Sequence, residues 1–196
     1  MTTTFNHTEL FGGAITANIP SNFADVSKIR QVPDNQEVYL DKNGFTSLTF
    51  DITERVSHLS TDRDALEYHF ADIVAENDTR DVRSVVENEE LPNFSPSTPI
   101  LALTAITKPP PSTVAAKALT PTHTDIHFTL IRLVEQSTDV VITLNTPYFA
   151  GDTGAPTPNG TEAGTRQRED EQEVGTMYHQ IVMSLAIKDW GLFSGE

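Results

Sequence analysis

The chain has 196 residues, 28 acidic and 13 basic side chains for a formal charge of −15, and no cysteine. That length suits one domain with a substantial core, and the missing thiols exclude disulfides, thiolate chemistry and the usual structural zinc sites. The charge repels phosphate backbones and anionic lipid, so neither nucleic acid nor membrane is an expected partner, whereas a basic protein is electrostatically easy.

No run of 18 apolar residues occurs, and the stretch from Met1 to His7 lacks the regions of a signal peptide, so a soluble cytosolic or nuclear protein is expected. Gly12 and Gly13 predict a tight turn, and Ala14 to Ile19 a short strand ended by Pro20. Between Pro20 and Pro33, Val26, Ile29 and Val32 recur at three-residue spacing, as one helical turn pinned by three aliphatic side chains would place them. Asp25, Lys28, Arg30 and Asp34 then face water.

Gln36 to Leu40 reads as a strand, and Asp41-Lys42-Asn43-Gly44 as a hairpin turn whose Asn-Gly pair tolerates positive φ. In the returning strand, Phe45 to Val56, Leu48, Phe50 and Ile52 alternate with Ser47, Thr49, Asp51 and Thr53, so Asp51 points outward from a rigid element. Glu54 has the opposite parity. It joins Asp51 on one surface only if the strand bulges or ends after Ile52, which the run Arg55-Val56-Ser57-His58 predicts.

Ser60 or Thr61 caps a helix whose apolar stripe is Leu66, Phe70, Ile73 and Val74. Asn77 to Ser97, acidic and then Pro-rich, reads mostly as an irregular excursion, and Lys108 to Pro121 as a connection stiffened by polyproline II preference. Ile100 to Thr107, His123 to Glu135 and Asp139 to Thr146 are strands, the last two apolar at both parities as the middle of a sheet covered on two faces requires. Pro147 to Thr165 has a loop composition without the Gly-Lys-Ser/Thr ending of a phosphate loop. Arg166 to Lys188 is the last helix, with Val174, Met177, Tyr178, Ile181 and Leu185 buried, and Asp189 to Phe193 docks back on the sheet.

Six strands and two long helices joined largely by hairpins predict an α/β fold: a mainly antiparallel six-stranded sheet covered by helices on both faces, an α/β/α sandwich. The whole chain, 1–196, forms a single domain with flexible loops near 88–98, 108–121 and 148–165. No long apolar edge or heptad pattern demands a second copy, so a monomer is expected.

Catalytic signatures are absent: there is no Gly-x-Ser-x-Gly elbow, His-Glu-x-x-His or Walker motif. His123, Asp125 and His127 cluster in sequence, but on a strand the two rings stand roughly 13 Å apart and cannot share an ion. No catalytic residue, cofactor or metal is therefore assigned.

The run Gly-Gly-Ala-Ile at Gly12 to Ile15, followed by Phe23-x-Asp25-x-Ser27-x-x-Arg30-x-Val32-Pro33-Asp34-x-Gln36-Glu37-Val38, resembles the start of the Mog family, small Ran-binding factors of nuclear protein import. The resemblance is strong over 10–56, fair over the helix from Asp62 to Glu76 and the strands from Thr124 to Pro147, and weak elsewhere. It implies a fold shared with the PsbP proteins of photosystem II, and an Asp-x-x-Glu after the first hairpin that binds the GTPase, matched here by Asp51 and Glu54. Asp25, Arg30, Asp34 and Glu37 match the N-terminal motif and are further candidates for contact with Ran. They also have a structural alternative, with Asp34 as a turn acceptor and Arg30 as its ion-pair partner.

The resemblance implies a nuclear import factor, working in nucleus and cytoplasm, that binds Ran and promotes release of its guanine nucleotide without a catalytic site of its own. It leaves room for a second Ran-binding protein in the complex. The alternative is an adaptor that binds a basic protein without exchange activity. An unrecognised hydrolase would instead need a deep apolar pocket holding a perturbed His or carboxylate.

Overall fold

Period-two alternation and turn residues divide the chain into ten strands and three α-helices among the residues described by a computed structural model, 3–116, 120–149 and 161–194, with side chains of 115–116 and 161–170 excepted. The first half holds β1 (Phe5–Leu10), β2 (Ile15–Pro20), β3 (Phe23–Asp25), β4 (Gln36–Asp41), β5 (Ser47–Glu54), α1 (Asp62–Ile73) and β6 (Thr79–Glu87). The second holds β7 (Ile100–Lys108), α2 (Pro111–Ala116), β8 (His123–Leu133), β9 (Thr138–Tyr148), α3 (Thr161–Met183) and β10 (Ala186–Ile187).

The main sheet has seven strands, not six, in the order β3-β4-β5-β9-β8-β7-β6, with every neighbouring pair antiparallel. The strand Ala14 to Ile19 does not belong to it: as β2 it forms a separate three-stranded sheet with β1 and β10. β3 and β6 join the main sheet instead. Every residue of β6 except Val85 is exposed, so this edge strand has no buried side to impose alternation on its sequence.

Helices do cover both faces. On one, Ala65, Leu66 and Phe70 of α1 pack on Leu101, Leu103, Phe128 and Leu130. On the other, Tyr178, Ile181 and Val182 of α3, with Leu185 just after it, pack with the small sheet over Ile131, Ile142 and Leu144. Tyr178 fixes that helix specifically, its hydroxyl lying 2.9 Å from both Thr129 Oγ1 and Ile142 O.

Other expectations need revision. α3 begins at Thr161 rather than Arg166 and gives way after Met183 to β10, and the 108–121 connection contains α2. Residues 117–119 and 150–160 of the expected loops lie outside the described residues. The 88–98 segment buries Leu91 and donates Asn93 Nδ2 to Leu185 O at 3.0 Å. Of the three aliphatic pins only Val26 is buried, within a 3₁₀ turn; Ile29 is 76% exposed. The β4–β5 hairpin forms without positive φ at Asn43 or Gly44. Asp41 closes it instead, its Oδ1 accepting from Asn43 N at 3.0 Å and its own N–H donating to Thr46 O at 2.9 Å. The Gly12-Gly13 turn is as expected, with φ of +66° and +93°.

Thr61 caps α1, accepting from Asp64 N at 3.0 Å. Behind that cap lies a buried ionic network. Asp139, fully buried at the start of β9, accepts from Arg132 Nε at 3.1 Å and Val56 N at 3.0 Å, and its Oδ2 lies 2.9 Å from His69 Nε2. Arg132 also donates to Asp62 Oδ1 and to Val56 O. Burial alone would raise the Asp139 carboxyl; the bonds from His69, Val56 and Arg132 outweigh it and hold the pKa below its ordinary value.

Asp125 on β8 is the opposite case. Its Oδ1 is buried without a hydrogen-bond partner among the described residues, and burial, followed by the charge of Glu171, pushes the carboxyl up to about 6. Its protonated form is the better tolerated one.

These two carboxylates predict opposite mutational outcomes. Asp139→Asn leaves buried Arg132 with the half-exposed Asp62 as its remaining counter-charge and should cost about 3 kcal/mol in denaturant unfolding at pH 7. The native contribution of Asp139 is full above an unfolded-state pKa of about 3.9 and is lost as pH falls through its depressed native value. Asp125→Asn should raise the melting temperature at pH 8. That gain should vanish at pH 4, because the raised native pKa favours folding below about 3.9 and the benefit is lost as pH rises through about 6.

Candidate protein-binding surface

β5 carries the two carboxylates that the sequence singles out, and β9 decides where they point. The β5–β9 register runs without interruption from Ser47↔Asn145 to Glu54↔Thr138. Contrary to expectation, the strand neither bulges nor ends after Ile52 but runs on to Glu54. β9 supplies a pairing partner to the last residue of β5, so nothing frees that strand to twist early. Asp51 and Glu54 therefore lie on opposite faces of the sheet, and Glu54 is exposed because the strand ends there.

Asp51 shares the α1 face with Val141, its partner on β9, while Gln36 opposite it on β4 donates Nε2 to Asp51 Oδ1 at 2.5 Å. Partial burial raises the carboxyl pKa, opposed by the Gln36 bond and by the nearby His69. The result is a half-buried, oriented acid that a cation would stabilise in its charged form.

The loop between β3 and β4 flanks this strand end. Asn35 ties it on, donating Nδ2 to Ile52 O at 3.1 Å and accepting from Ile52 N at 2.9 Å. Arg30 and Asp34 are exposed on that loop, and no ion pair joins them among the described residues. Asp25 starts it by capping the 3₁₀ turn, its Oδ1 accepting from Ser27 N at 2.8 Å, with Lys28 Nζ 3.8 Å from Oδ2.

Glu37 lies apart. Opposite Phe50, it faces the α3 side, where its Oε1 accepts from Phe11 N at 2.8 Å. Phe11 has φ of +50°, a conformation a bulky side chain resists, so this bond steadies a strained turn. Of the six residues the resemblance suggests, the structure gathers Asp51, Glu54, Arg30 and Asp34 around one end of the sheet and gives Asp25 and Glu37 positioning bonds.

Sequence reasoning missed the residues that make this end rigid: His69, Arg132 and Asp139. The signal was present. Arg132 and Asp139 are opposite charges flanking a short turn inside otherwise apolar strands, and His69 falls on the stripe of α1 three residues after Leu66. His123 and His127 lie on a strand as expected, and their rings have separate partners, Tyr148 at 4.6 Å and Tyr178 at 5.4 Å.

With this geometry in place, comparison with known proteins is specific. Residues 8–147 match the family model of the Ran-interacting Mog1 protein. A protein of Dictyostelium discoideum named "Probable ran guanine nucleotide release factor" is 30% identical over 202 residues, covering 98% of each chain. The fold is that of the Saccharomyces cerevisiae Ran-binding protein Mog1p, with a TM-score of 0.68 at 23% identity over 98% of this chain and 100% of that one. PsbP of Synechocystis has the same architecture, with a TM-score of 0.59 at 10% identity over 95% and 94% of the two chains. The chain belongs to the Ran-interacting Mog1 protein family.

Proposed function

We propose that this protein binds the GTPase Ran at the sheet end carrying Asp51 and Glu54, and that binding promotes release of Ran's guanine nucleotide in nuclear protein import. One observation carries the reading: the family match spans residues 8–147 and so includes Asp51-Ile52-Thr53-Glu54, on a strand end with an exposed and a half-exposed carboxylate. A formal charge of −15 favours approach of a basic surface.

Because the two carboxylates face opposite ways, Ran engages the end of β5 from both sides of the sheet rather than lying flat on one. Exposed Arg30 and Asp34 extend the contact; Asp25 and Glu37 act indirectly, by holding the loop and the Phe11 turn. The protein acts as a regulator of a GTPase and works in nucleus and cytoplasm. Linkage sets the mechanism: a factor that weakens nucleotide binding must itself bind nucleotide-free Ran more tightly than loaded Ran.

The test is release of a fluorescent guanine nucleotide from purified Ran. The native protein should accelerate release, and Asp51→Asn and Glu54→Lys should each reduce the acceleration roughly tenfold, as loss of a charged interfacial contact does, with both variants still folded. Association should slow as salt rises. It should also weaken on acidification at a higher pH than an ordinary aspartate would dictate, because the Asp51 pKa is raised. Acceleration indifferent to both substitutions would contradict the assigned surface; binding without acceleration would mean an adaptor without exchange activity.

A further inference from the structure

Arg55 lies one residue past the end of β5 and lines a cavity on the α1 side that Asp51 also faces, about 13 Å from Asp51 at extended spacing with Thr53 between them. Its backbone is fixed, Arg55 N donating to Ser137 O at 2.9 Å, and Val56 after it is clamped through both N and O by Asp139 and Arg132. The side chain enters a cavity of about 350 Å³ between the start of α1 and the turn after β6, with Asp62, Arg63, Glu87 and Arg132 also in its walls.

The other two arginines there are committed. Arg63 pairs with Glu67 and Glu87, each at 3.2 Å, and Arg132 with Asp62 and Asp139. Arg55 is not: its Nε is shut off from water and has no acceptor among the described residues. A buried N–H left unpaired is costly. A planar guanidinium, open to a cavity, matches a carboxylate in a bidentate pair.

We infer that Arg55 is the cationic anchor of the Ran-binding surface, receiving a carboxylate of Ran in the cavity beside α1 while Asp51 on the same face receives a basic group. The occupant is a carboxylate rather than a phosphate because Asp62 and Glu87 share the walls and penalise a dianion more than a single charge. A minus on β5 and a plus on the clamped residue just after it, about 13 Å apart at extended spacing, fix the direction in which the partner lies, since a reversed partner meets like charges at both ends. This inference rests on the reading of the protein as Ran-binding and adds to it the orientation of the complex.

The test is calorimetric titration of Ran into the full chain and into Arg55→Ala, Arg55→Lys and Arg55→Glu, with thermal unfolding of each. Arg55→Ala should weaken binding about tenfold or more with no loss of stability, since no side-chain partner inside the protein is broken. Arg55→Lys should fall between, and Arg55→Glu should bind most weakly. Binding by Arg55→Ala within twofold of the native protein, or by Arg55→Glu as tightly as by Arg55→Ala, overturns the inference while leaving Ran binding intact. No binding of Ran by the native chain overturns the functional reading and this inference together.

Discussion

The buried carboxylate of Asp139 is the constraint on which one end of this molecule depends. It sits on β9, and its hydrogen bonds to Arg132, His69 and Val56 join that strand to β8, to α1 and to the segment that leaves β5. Removing an ion pair from water is expensive, and the expense is offset only when every polar atom finds a partner. Here the same bonds that satisfy the charge also stop the chain from fraying after Glu54. They fix the exit of β5 and the entry of α1, and therefore the positions of Asp51, Glu54 and Arg55. A rigid surface built this way needs no reorganisation when a partner arrives, so its binding energy is not spent on ordering loops.

The opposite side of the sheet shows why the network is placed where it is. Asp125 is half-buried, its buried Oδ1 has no hydrogen-bond partner among the described residues, and its carboxyl is pushed up to about 6. Two aspartates in adjacent strands thus differ by what surrounds them. Asp139 is stabilised as an anion and serves as a structural rivet; Asp125 is tolerated best as an acid. The proposed binding surface lies around the first.

Much of the architecture was legible because burial imposes a pattern. Leu48, Phe50 and Ile52 against Thr49, Asp51 and Thr53 fixed the faces of β5, and doubly apolar β8 and β9 marked the sheet centre. β6 left no such mark, because an edge strand exposed on both sides has no periodic requirement. The small sheet was hidden for another reason: β10 is only two residues long, and its pairing with β2 joins residues far apart in sequence. Within the candidate surface, the opposite parity of Asp51 and Glu54 was readable and the place where the strand ends was not. Glu54's parity pointed away from Asp51, and only the length of the β9 pairing decides that no bulge intervenes. Arg55, the first residue of a run that read as a fading strand, gained its significance from a cavity that local sequence does not reveal.

The central claim is that a partner engages the end of β5 and the loop beside it. Amide hydrogen exchange of the protein with and without nucleotide-free Ran tests it directly. The account predicts new protection concentrated in 49–56 and 26–36, with the β6–β7 edge unchanged. Protection confined to that far edge, with 49–56 exchanging as in the free protein, would contradict it.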